Sequence, residues 1–186
     1  VRRITPRYPA LTPDQEILER YRMQFEPYVR WLLPLLALVI AFLVGVGATT
    51  HWQSYLLWRN GADLSFGNPE PLFDRDPAFY VFSLPWLQYM QGWLFSSLVW
   101  VTLLTAGAHY VWGGIRPQAQ GFGEKVSPQV KAHLSVLLGL IMLTKAWGYY
   151  LGQFDLLTST RGVVVGASYT DVNAQLPALR ILVVIA

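Results

Sequence analysis

Three long apolar segments constrain this chain more than anything else in it: Trp31–Ala48, Trp86–Tyr110 and His133–Leu151. The first holds eighteen residues without a charge, the second twenty-five without an Asp, Glu, Lys or Arg, and the third is broken only by Lys145. A hydrocarbon core about 30 Å thick takes roughly 20 apolar residues in a helix, so each run meets or nearly meets that length. Charged residues are 13% of the chain, against about 25% in a typical soluble domain. A water-soluble all-α core with three such runs would leave little polar helix surface for water. The expected fold class is therefore all-α, a polytopic helical membrane protein with three complete transmembrane helices plus the start of a fourth. Aromatic residues gather at the run ends, among them Trp31, Trp52, Trp58, Trp86, Tyr89, Trp112, Trp147 and Tyr150. Amphipathic rings favour the headgroup level.

Residues 1–30 are polar and basic. Thr12-Pro13-Asp14-Gln15 fits a helix start, with Thr as N-cap and Gln three residues on. Ile17, Leu18, Tyr21 and Phe25 then share one face of a short amphipathic helix. The first transmembrane helix is expected over 31–58, with Asn60-Gly61 as a left-handed stop. A proline-rich loop at 59–85 leads to the second transmembrane helix, 86–113, which Gly113-Gly114 ends. A short basic loop, 114–132, reaches the third at Ser127-Pro128. That helix covers 133–151, and a polar loop, 152–176, precedes the start of a further helix at 177–186. Within that loop Gly162 and Gly166 flank Val163-Val164-Val165, a short strand-like or buried segment. No repeat or low-complexity tract stands out. The chain begins at Val1 and ends inside an apolar run, and it reads as a fragment of a longer protein.

Lys and Arg counts set the expected orientation. Residues 1–30 and 114–132 together carry nine, and the loops on the other side carry Arg59, Arg75, Arg161 and Arg180. Residues 1–30 and 114–132 are accordingly placed in the cytoplasm, and residues 59–85 and 152–180 outside. The net charge of +3 follows from that sidedness, and no nucleic-acid motif accompanies it. There is no cysteine, which excludes disulfides and thiolate chemistry.

Lys145 is the main chemical anomaly, because an ionisable side chain inside a span is a functional hypothesis by default. The plainer reading lets its stem snorkel toward the headgroups beyond Gly152. Ile141, Lys145, Gly148 and Gly152 share a face, and Gly148-xxx-Gly152 permits close helix approach. That pattern turns Lys145 toward protein. Thr102 and Ser97 on the second helix complete a candidate intramembrane polar site, and the Thr102 and Lys145 faces are expected to meet. His109 reads as a headgroup-level side chain, and His51, His109 and His133 lack metal-ligand spacing. In the loops, Asp74 and Asp76 resemble alternate carboxylates of a calcium loop but lack its Gly and terminal Glu, which favours a salt-bridged structural loop. Tyr169, Asp171 and Asn173 lead into the fourth helix, where Asp171 or Asn173 would serve as N-cap. No catalytic residue, metal site or cofactor is expected, and the chain carries no nucleophile elbow or phosphate loop.

Three segments nevertheless form a recognisable pattern. Asp76-Pro77-Ala78-Phe79-Tyr80-Val81-Phe82-Ser83-Leu84-Pro85, the run from His133 to Leu140, and Arg161–Leu179 with its Gly166-Ala167-Ser168-Tyr169-Thr170-Asp171 core resemble a bacterial family of multi-pass membrane proteins called uncharacterised protein family 0182. The likeness covers nearly the whole chain from about Pro9. It implies a longer protein, with further helices and a large extracytoplasmic region, in a bacterial plasma membrane. No activity is established for the family, so no catalytic residues carry over. The leading expectation is a non-enzymatic cell-envelope scaffold that anchors an extracytoplasmic domain. Its expected partners are the lipid bilayer, further helices of the full-length chain and other membrane proteins. A transporter or channel component with a polar path near Lys145 is the alternative, and an envelope enzyme with its site outside this stretch is a third.

Overall fold

The computed structural model describes residues 13–115, 125–159 and 166–186. The fold is all-α, and among the described residues there is no strand, only isolated bridges at Glu70–Arg75 and Ile115–Val126. The helices are α1 (Pro13–Ala48), α2 (Trp52–Gly61), α3 (Leu84–Val111), α4 (Pro128–Gly152) and α5 (Leu176–Ile185). Three stretches are long and apolar enough to cross a membrane: Pro34–Gly61, Phe79–Val111 and Pro128–Thr158. The chain divides into two compact units, Val1–Gly47 with Val99–Gly139, and Ala48–Leu98 with Leu140–Ala186.

The helix that starts at Pro13 does not stop before the first apolar run. It continues through Pro27 and Pro34 to Ala48, so the expected short helix and the first span are one element. The amphipathic face Ile17, Leu18, Tyr21 and Phe25 lies outside the described side chains, and Val163-Val164-Val165 lies outside the described residues. Farther along α1, Leu35, Leu38, Phe42, Leu43 and Val46 are exposed, an apolar surface suited to lipid or to another helix.

In the first unit, α3 ends in a Schellman motif. The Gly113 N–H donates to Tyr110 O at 3.0 Å and the Gly114 N–H to His109 O at 2.8 Å. Gly113 takes the left-handed conformation (φ 73°) that this motif requires. Ser127 then donates its N–H to Gly114 O, and α4 begins with Pro128 in the first turn, where no N–H is needed.

In the second unit, a 3-10 turn, Thr49–His51, separates α1 from α2. Gly61 is not the left-handed stop expected of it: α2 closes with right-handed backbone, Ala62 donating to Trp58 O. Its hydrogen side chain serves packing instead. A Cβ there would lie 2.6 Å from Cγ of Phe82.

The second apolar helix begins earlier than Trp86. Pro77 and Ala78 are already helical and Asp76 caps them, with Oδ1 accepting the Ala78 N–H at 2.8 Å. A π-turn, Phe79–Ser83, follows, and the Leu84 N–H reaches back to Phe79 O. This wider turn accommodates Pro85, whose ring would clash with the carbonyl four residues back and which has no N–H to offer it. The same device recurs at α5. Ser168 is the N-cap, a π-turn covers Asp171–Gln175, and Leu176-Pro177 follows. The segments 76–85 and 168–177 share only their closing Leu-Pro in sequence, so the repeat is one of backbone form.

The core of the second unit is Leu84, Leu151 and Phe154, packed with Phe73, Phe79, Tyr80, Leu87 and Trp147. The Phe154 ring lies 5.0 Å from Phe73, 5.1 Å from Phe79 and 5.5 Å from Tyr150, all edge-on. Edge-to-face geometry places positive ring edges on negative faces and adds about 0.5–1.5 kcal/mol per pair beyond burial. A second aromatic cluster joins α2 to α3: His51 stacks on Tyr89 at 3.8 Å, while Tyr55 and Trp58 meet Trp86.

Candidate functional site

Within the second unit, Gly148 lets α4 approach α3. A Cβ at that position would fall 2.7 Å from Nε2 of Gln91. That nitrogen donates to the Thr144 carbonyl at 3.0 Å. The Thr144 hydroxyl donates to Leu140 O at 2.8 Å, so it satisfies itself on its own helix. The expected small-residue approach thus falls at Gly148, whereas a Cβ on Gly152 would meet nothing within 4 Å.

Lys145 adjoins this contact yet remains exposed. Its ammonium lies 5.5 Å over the Phe95 ring and 5.0 Å over the Tyr149 ring. Lys145 lies within the Pro128–Thr158 apolar stretch, seven residues before the end of α4 at Gly152, roughly 11 Å at 1.5 Å per residue. A lysine inside a span costs up to about 2.5–3.5 kcal/mol on insertion scales. Two cation–π contacts, each about 0.5–2 kcal/mol, offset part of that cost. Ser97 is half-buried in the same unit, and Thr102, also half-buried, belongs to the other.

Two of the loop carboxylates, Asp76 and Glu70, are engaged with backbone. Asp76 accepts the Ser65 hydroxyl and the N–H groups of Phe66, Gly67 and Ala78. These bonds, the Ser65 hydroxyl first, hold its pKa at about 2, below the ordinary 3.8. Glu70 accepts the N–H groups of Leu72 and Phe73 at 2.7 and 2.9 Å. Asp74 occupies the left-handed region (φ 55°), a conformation that Asp tolerates, and donates its N–H to Glu70 O. Arg75 lies over the Phe79 ring at 5.3 Å. Hydrogen bonds and a ring contact therefore organise this loop where ion pairs were expected.

At the entry to α5, the Asp171 carboxylate accepts both the N–H and the hydroxyl of Ser168, and Ser168 Oγ accepts the Asp171 N–H. This is a capping box with Ser168 as N-cap. Neither Asp171 nor Asn173 is the N-cap; both lie inside the helix, and Asn173 donates to Tyr169 O at 2.9 Å. Tyr169 is 83% exposed.

His109 is fully buried in the first unit. Its Nε2 lies 3.3 Å from Nδ1 of His133, with the rings perpendicular. The two sit 24 residues apart on different helices, and no local motif links them. Among the described residues no three His, Cys, Asp or Glu side chains are grouped to hold a metal ion.

Taken together, the architecture is that of an all-α chain with three helices fit to cross a membrane, in which Asp76, Glu70 and Asp171 accept backbone N–H groups. The chain belongs to the Uncharacterised protein family UPF0182, whose model matches residues 1–186. It is 45% identical over 184 residues to a UPF0182 protein of Frankia alni, covering 99% of this chain and 18% of that protein. A UPF0182 protein of Nocardioides sp. is 42% identical over 180 residues, covering 97% and 18%. One of Streptomyces coelicolor is 34% identical over 189 residues, covering 99% and 18%. The chain thus spans about a fifth of the length of these relatives. No solved structure matches it.

Proposed function

We propose that these residues form a membrane-embedded scaffold within a longer, non-enzymatic cell-envelope protein of the bacterial plasma membrane. Residues 1–30 would lie on the cytoplasmic side, with residues 59–85 and 152–176 outside. The observation that carries this reading is the commitment of the loop carboxylates. Asp76, Glu70 and Asp171 accept backbone N–H groups, which makes the loops structural caps on which an extracytoplasmic domain can rest. The exposed apolar face of α1 supplies contact surface for lipid and for further helices. Isolation of the full-length protein from native membranes in mild detergent tests the reading. A stoichiometric protein partner is the expected outcome, and recovery of the protein alone or with one enriched solute counts against it.

A second reading, a transporter or channel component, draws on the ammonium of Lys145 within the Pro128–Thr158 apolar stretch. Ionisable groups within spans mark solute paths in many transporters. Solute flux through the reconstituted full-length protein that Lys145→Met abolishes would favour it over the scaffold.

A further inference from the structure

We propose that Lys145 is the docking point for a further membrane-spanning helix of the full-length protein, one that carries an Asp or Glu at the same depth. The ammonium is exposed and held over Phe95 and Tyr149. Aromatic faces orient a cation but leave its charge uncompensated. The three apolar stretches supply no counter-charge. Pro34–Gly61 and Phe79–Val111 contain no Asp or Glu, and Pro128–Thr158 contains only Asp155 near its end, whose Oδ1 accepts Gln88 Nε2 at 2.6 Å. Met142, one turn before Lys145 on the same face of α4, is also exposed. A charged group set within an apolar span selects a partner by charge as well as by shape. The relatives, of which this chain covers 18%, have the length to supply such a helix. The inference holds for a scaffold and for a transporter alike.

The test places a photo-reactive benzoyl-phenylalanine at Met142, one turn from Lys145, in the full-length protein in native membranes. The expected product is an intramolecular cross-link to a spanning segment that contains an Asp or Glu. Cross-links only to lipid, to another protein, or to a segment without a carboxylate overturn the proposal. A charge swap gives a second readout. Lys145→Glu should lower the yield of folded full-length protein by about tenfold or more. Lys at the cross-linked acid should restore it in the double variant. Wild-type yield from Lys145→Glu, or no rescue by the double variant, also overturns the proposal.

Discussion

Asp76 joins two stretches of backbone through one carboxylate, accepting from Ser65, Phe66 and Gly67 on one side and Ala78 on the other. Its pKa falls from 3.8 to about 2 on folding, so its contribution is present above about pH 4 and lost as pH falls through about 2. Limited proteolysis of the 62–76 loop in detergent should show wild-type protection declining over that window. Asp76→Asn should be less protected at neutral pH and flat across the window. Two glycines separate close approaches of different cost. At Gly61 the obstacle is the base of the Phe82 ring, and at Gly148 it is the movable end of Gln91. Gly61→Ala should destabilise by about 1–3 kcal/mol through overpacking. Gly148→Ala should be close to neutral, because a helix gain of up to about 1 kcal/mol offsets the displaced hydrogen bond. Thermal unfolding of the two variants in one detergent checks the order.

At the scale of elements, α3 and α4 are held together in the second unit by an aromatic core around Phe154 and by the Gln91–Thr144 contact. Phe154 is 3% exposed and edge-packed on several rings, so Phe154→Ala should cost about 3–5 kcal/mol. Denaturation monitored by tryptophan fluorescence measures this, and a loss below 1 kcal/mol would contradict the assigned core. The sequence makes the ends at Gly113-Gly114 and Ser127-Pro128 legible, because glycine and proline there act locally. The start of the second helix is less legible: Pro85 reads as a boundary, and only the π-turn before it shows how the helix passes through. Lys145 and Gly148 stand out by charge and spacing. Gln91 and Phe95 carry no signal of their own, since their importance lies in what α4 places against them. The His109–His133 pair is hidden for the same reason, two residues on separate helices meeting only through tertiary packing.

For the whole molecule, the fold class follows from apolar run length, while the membrane assignment and its sidedness rest on composition and on Lys and Arg placement. The absence of cysteine from these residues allows a direct measurement. Single cysteines at Asn68, Gln129 and Tyr169, all exposed, would be placed in a cysteine-free full-length protein and labelled in intact cells with a membrane-impermeant maleimide. The account predicts labelling at Asn68 and Tyr169, and none at Gln129 until the membrane is permeabilised. Labelling of all three in intact cells, or of Gln129 alone, would contradict it.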